Sequence, residues 1–272
     1  MTKQDKEAER TSWVVKEIKE YAIHDPYDNQ HYMSVISRIL KRIGKKKLKI
    51  LDLGCGSSSY GIRFAKLGHE VIGVDISKEA VGSARKRAKL AQVPAIFEVG
   101  DIEKLNFPTS SFDVCFFGGV LHHFPDLKLV IQEAKRVLKN KGYLVFVEPN
   151  KQNPHVFLSM EPKSPFRYKH LTINERSIHY AEILTLLKGR IINYDIFYKL
   201  MTLTKTGRHA SKSFFDADFI YKHGGFVWKY VRGGVINKLM AIFAYNVAHV
   251  YQKFASNKRA GNFVILTAQL KK

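Results

Sequence analysis

Between residues 48 and 148, short apolar runs alternate with amphipathic stretches, and this alternation constrains the fold more than any other feature of the chain. The runs cover residues 48–53, 71–75, 95–99, 112–117 and 143–148, and each ends on, or is followed at once by, a glycine or an acidic residue. Their length and their content of β-branched and aromatic side chains are those of buried strands. The stretches between them carry helical spacing. Leu127, Val130, Ile131, Ala134, Val137 and Leu138 share one face, and a second helix is expected over residues 79–90. Near-continuous apolar strands separated by helices imply a parallel sheet covered on both faces, an α/β architecture.

The flanks read differently. Residues 12–43 show helical spacing, interrupted by His24-Asp25-Pro26-Tyr27-Asp28. Residues 1–45 are therefore expected to form an N-terminal helical lid, with Tyr27, His31 and Tyr32 near a ligand crevice. Residues 46–150 form the ligand-binding core. After Pro149 the alternation stops, and residues 150–170 look irregular, with Pro154, Pro162 and Pro165. Beyond them a helix is expected at 174–187 and a strand at 190–197. A helix running into a strand follows over 214–231, then a long helix at 235–254 and a final strand at 263–270. Residues 151–272 thus complete the sheet and insert a cap.

Charge is unevenly spread. The chain carries 45 basic and 24 acidic residues, but residues 188–272 hold 15 basic against 3 acidic. In that third, Phe214, Phe215, Phe219, Tyr221, Phe226, Trp228 and Tyr230 are interleaved with the cations. Such a field favours acidic partners: an anionic membrane face, a phosphorylated substrate or nucleic acid. A solvated surface explains the same count. Residues 239–252 contain no Lys, Arg, Asp or Glu, but 14 residues are too few to span a bilayer. The two cysteines, Cys55 and Cys115, have no metal-ligand spacing, so neither a disulfide framework nor a zinc site is expected. The charged first ten residues lack the apolar core of a secretory signal, which points to a cytoplasmic location, with peripheral contact to a membrane's inner face as a further option.

Four features fall where open α/β sheets bind ligands, at the C-terminal ends of strands. Asp52-Leu53-Gly54-Cys55-Gly56 joins the first strand to a helix, and a glycine turn there lets a ligand approach the helix N-terminus. Asp75 ends the second strand, where an acid accepts the hydrogen bonds of a ribose diol. Gly100-Asp101-Ile102 follows the third, with a carboxylate for an exocyclic amine and an aliphatic face for an adenine ring. Gly118-Gly119 follows the fourth, where backbone passes close to a ligand. A dinucleotide fingerprint would need a third glycine at position 59, which is Ser59.

With Val74-Asp75-Ile76-Ser77, Phe112-Asp113-Val114 and Leu121-His122-His123-Phe124, these residues resemble the class I S-adenosylmethionine-dependent methyltransferases. More narrowly, they resemble the small-molecule group that includes the ubiquinone and menaquinone biosynthesis methyltransferases. Glu148-Pro149-Asn150, Asn153-Pro154 and Glu175-Arg176 extend the likeness. The resemblance implies a Rossmann-like sheet of seven strands, mostly parallel with the last antiparallel, helices on both faces, and a helical cap. It implies S-adenosylmethionine as cofactor, held by Asp52, Gly54, Cys55, Gly56, Asp75, Ile76, Asp101, Ile102 and Gly118. Ser57-Ser58-Ser59 departs from members that carry a further glycine soon after Gly56.

The cofactor's methyl is already activated on a sulfonium, so the protein's main task is to align a nucleophile and exclude water. A hydroxyl acceptor also needs a general base. His122 and His123 after the fourth strand, and Glu148 at the end of the fifth, are the candidates, with pocket shaping and backbone hydrogen bonding as their alternatives. A carbon or amine acceptor needs no strong base. The expected acceptor is a small molecule or a lipid. An RNA methyltransferase is the first rival, favoured by charge but lacking a recognisable RNA-binding module. A non-catalytic cofactor-binding protein that docks on membranes or partners is the second.

Overall fold

The computed structural model of the chain describes residues 29–44, 47–164, 167, 171–172, 174–199 and 263–272. Its strands are β1 (Lys49–Leu53), β2 (Glu70–Asp75), β3 (Ile96–Val99), β4 (Phe112–Gly118), β5 (Leu138–Pro149), β6 (Ile191–Lys199) and β7 (Phe263–Leu270). They form one sheet in the order β3-β2-β1-β4-β5-β7-β6. β1 to β5 pair in parallel, and β7 runs antiparallel to both of its neighbours. This is the seven-stranded Rossmann-like sheet with an antiparallel last strand that the sequence led us to expect. The chain reverses at the centre, where β1 lies between β2 and β4, so the loops after β1 and β4 part there and leave a crevice at the C-terminal edge.

The helices are α1 (Asn29–Ile43), α2 (Ser59–Lys66), α3 (Lys78–Leu90), α4 (Lys128–Val137), α5 (Pro154–Met160) and α6 (Tyr180–Leu186). Because side chains alternate along a strand, the central strands bury both faces. Leu51, Leu53, Phe117, Leu144 and Phe146 face one layer, with Val130, Ile131 and Ala134 of α4 and Ile183 of α6. Ile50, Val114, Phe116, Val145 and Val147 face the other, with α1 and α2. Each such fully buried side chain contributes roughly 1.5–3 kcal/mol.

Several expectations need correction. Of the stretch read as a lid, residues 29–44 are described. α1 buries Tyr32, Val35, Ile36, Ile39 and Ile43 against the sheet. Tyr32 is 2% exposed, stands edge-on to Tyr60 and lies beneath the Arg63 guanidinium. The helix expected over 174–187 forms only at Tyr180–Leu186. Residues just before it give their backbone to other partners: Arg176 N–H donates to the His122 carbonyl, and Ile178 N–H to that of Pro149. Within the stretch read as irregular, Pro154 opens α5, its fixed φ suiting a first helical position. Asn153 Oδ1 caps that helix by accepting from Val156 N–H at 3.1 Å. The elements expected over 12–23, 214–231 and 235–254, Tyr27 and the basic aromatic cluster lie outside the described residues. Among the described residues, no helix is long and apolar enough to cross a membrane.

Candidate functional site

The crevice begins at the turn after β1. Gly54 and Gly56 both adopt left-handed backbone, with φ of +67° and +52°. At Gly54 a side chain has no room, since an added Cβ would lie 2.2 Å from Val120 Cγ2. At Gly56 an added Cβ meets nothing within 4 Å, so this face of the turn opens onto free space. The Gly54 and Cys55 N–H groups donate to the Val74 carbonyl, which seats the turn on β2.

Asp75 finishes β2 and joins the two sides of the turn. Its Oδ2 accepts from Gly56 N–H at 2.8 Å and its Oδ1 from Ser77 N–H at 2.9 Å. The Ile76 backbone is a further donor to this carboxylate, whose two oxygens offer about four acceptor sites in all. Burial raises its proton affinity above the usual carboxylate range, and these N–H bonds act against that rise. Ser77 then caps α3 by accepting from Ala80 N–H. Ile76, between them, is half-buried.

Asp52 lies beneath the turn, with 2% of its surface exposed. It accepts from Ser58 Oγ at 3.1 Å, and burial pushes its carboxyl up to about 7. Its geometry is that of a brace for the turn. Cys55 is also buried, and burial, reinforced by the nearby Asp75 and Asp52 charges, pushes its thiol up, away from thiolate chemistry. Two braces were not visible in the sequence. Ser58 takes a left-handed conformation, φ +58°, at the N-cap position of α2. Arg87 of α3 donates to the Ser57 carbonyl, Ser57 Oγ and Ser59 Oγ from 28 to 30 residues away.

At the end of β3, Asp101 Oδ1 accepts from Glu103 N–H at 2.9 Å, and Asp101 keeps partial exposure. Ile102 is 6% exposed and packs in the core with Leu53 and Val74. Gly118 ends β4; the volume a side chain would need there is taken by Phe116 and Tyr60, 2.8 and 3.0 Å from an added Cβ. Gly119, at φ +79°, turns the chain into a single 3-10 turn, Leu121–His123.

That turn is organised by Glu148. The carboxylate has no exposed surface and holds three groups. Its Oε1 accepts from Val120 N–H at 3.0 Å and Leu121 N–H at 2.8 Å, and its Oε2 lies 2.9 Å from His122 Nδ1. Glu148 thus ties the backbone of the turn to the end of β5 and positions His122 through the Nδ1 edge of that ring. His123 is 7% exposed, and its Nδ1 lies 3.9 Å from Glu175 Oε1. Glu175, from the loop before α6, was not singled out as a functional carboxylate from the sequence. Gly54, Gly56, Asp75, Asp101 and the two histidines thus all lie at the C-terminal ends of the parallel strands.

A family model described as a methyltransferase domain matches residues 44–202. The chain is 39% identical over 99 residues to the 27-O-demethylrifamycin SV methyltransferase of Amycolatopsis mediterranei, covering 35% of this chain and 36% of that protein. It is 33% identical over 128 residues to the demethylmenaquinone methyltransferase of Staphylococcus aureus, covering 45% and 52%. The chain thus spans about half or less of the length of these relatives. Among solved structures, the YcgJ protein of Bacillus subtilis superposes with a TM-score of 0.55 at 21% identity, over 89% of this chain and 99% of that one, a likeness of fold.

Proposed function

The chain belongs to the methyltransferase-domain family, and from that membership we propose that it transfers a methyl group from S-adenosylmethionine to a small-molecule acceptor. The observation that carries the reading is the turn after β1. Its open Gly56 face and the Asp75 carboxylate that holds it lie together at the point where the sheet order reverses. These residues suit the cofactor. The Asp75 carboxylate takes ribose hydroxyls, Asp101 stands at the neighbouring strand end for the adenine, and the left-handed turn admits the methionine portion. Bound there, the cofactor supplies a methyl already activated on sulfur. The chain's own residues bind, orient and exclude water, and positioning of this kind supplies most of the acceleration.

The acceptor side of the crevice is bounded by the turn after β4. Relatives named for a rifamycin and a menaquinone precursor support a small organic acceptor. A labelled-methyl assay on a cell extract, separated into lipid, small-molecule, protein and RNA fractions, tests this. Label in the small-molecule or lipid fraction is expected. Label confined to RNA would transfer the assignment to the first rival, and no label in any fraction would favour a non-catalytic cofactor-binding protein.

A further inference from the structure

We propose that His122, His123 and Glu175 form a divalent-cation site of the zinc class at the mouth of the crevice. One donor atom from each residue lies within 4.8 Å of the others. Two of these residues come from the turn after β4 and the third from the loop before α6, segments joined by the Arg176 N–H bond to the His122 carbonyl. His123 Nδ1 and Glu175 Oε1 stand 3.9 Å apart. That is too far for a hydrogen bond. It lies within the range set by two ligands on one ion, about 3 to 4 Å apart when each metal–ligand bond is about 2.0–2.2 Å.

The surroundings are those of a supported metal ligand. His122 contacts the fully buried Glu148 carboxylate through Nδ1 at 2.9 Å. A ring that gives its Nδ1–H to a carboxylate offers a basic Nε2 lone pair, the arrangement that orients histidine ligands in metal sites. Glu175 is itself held, its Oε1 accepting from Thr172 N–H at 2.8 Å. His123 and Glu175 are buried while His122 is half-buried, so the cluster is closed on one side and reachable on the other. Two imidazoles and one carboxylate form a donor set for zinc or a neighbouring divalent metal, with coordination positions left for water or a substrate oxygen. If the methyl-transfer reading holds, an ion here would select acceptors that present an oxygen ligand. Cation binding itself does not depend on that reading.

The test uses the full chain, stripped with a chelator and dialysed. Zn2+ is titrated by calorimetry, and Co2+ is added as a spectroscopic stand-in. One equivalent of Zn2+ per chain is expected, with a Co2+ ligand-field band that Zn2+ abolishes. His123→Ala and the conservative Glu175→Gln should each weaken binding at least tenfold, and Glu148→Gln by about tenfold to a hundredfold. S-adenosylmethionine titrated into the Glu175→Gln variant reads the methyltransferase assignment separately and confirms that the variant is folded. Absence of stoichiometric Zn2+ and Co2+ binding by the folded wild-type chain overturns the proposal. So does a Glu175→Gln variant that is folded and binds Zn2+ as tightly as wild type.

Discussion

Replacing Asp52 by Asn should change how stability depends on pH. Asp52 ends β1 beneath the glycine turn, 2% exposed, with Ser58 Oγ and the Gly61 N–H as its donors. Burial, aided by the charge of Asp75, pushes its carboxyl from 3.8 up to about 7. In the unfolded chain the proton leaves near 3.8, whereas the folded chain keeps it to about 7. Between those values the folded state binds the extra proton, so stability falls as pH rises. The contribution is fully present below the unfolded value and lost once the pH passes the folded one. A shift of about three units at about 1.4 kcal/mol each gives roughly 4 kcal/mol in all, of which roughly 3 kcal/mol falls between pH 5 and pH 8. Asn has nearly the same shape and no charge, so it removes this slope. Urea unfolding of both proteins at pH 5 and pH 8 measures it. Relative to wild type, Asp52→Asn should gain roughly 3 kcal/mol on going from pH 5 to pH 8. A difference between the two proteins that is the same at both pH values refutes the reasoning.

Gly54→Ala should lower stability by roughly 2–5 kcal/mol, combining left-handed strain with the overlap on Val120. Val120→Ala in the same chain should restore the overlap part and leave the strain, as a double-mutant cycle of unfolding free energies will show. Glu148→Ala should cost at least about 3 kcal/mol, because Val120 N–H, Leu121 N–H and His122 lose a buried acceptor. A thermal melt within a degree of wild type would contradict that accounting.

The sheet was legible because its signal is local and repeated. The largely buried strands β1, β2, β4 and β5 cannot avoid apolar runs, edge strand β3 buries only Phe97, and the glycines and acids at the strand ends mark the crevice edge. The antiparallel β7 was placed from Phe263 to Leu270 with no shift, since its run is mostly apolar, interrupted only by Thr267 and Gln269. What the sequence concealed depends on contacts between distant segments. Arg87 reaches Ser57 and Ser59 across 28 to 30 residues, and nothing in α3's pattern marks it among its neighbouring cations. For Glu148 the sequence offered backbone hydrogen bonding as one alternative, but not that the acceptor would join Val120 and Leu121 N–H to the His122 ring. Residues 174–179 have helical composition, yet their backbone is drawn to β5 and the turn after β4. Tertiary pairing overrides propensity there.

Titration calorimetry of the full chain with S-adenosylmethionine tests the central claim most directly. One molecule should bind per chain with a dissociation constant on the order of micromolar, raising Tm by mass action. Asp75→Ala should weaken binding more than tenfold, since it removes the ribose acceptor and frees the Gly56 N–H that shapes the turn. Asp75→Asn keeps the size of the side chain and serves as the check that loss of affinity is not loss of fold. No binding by the folded wild-type chain, or an Asp75→Ala variant that binds as wild type does, would contradict the account.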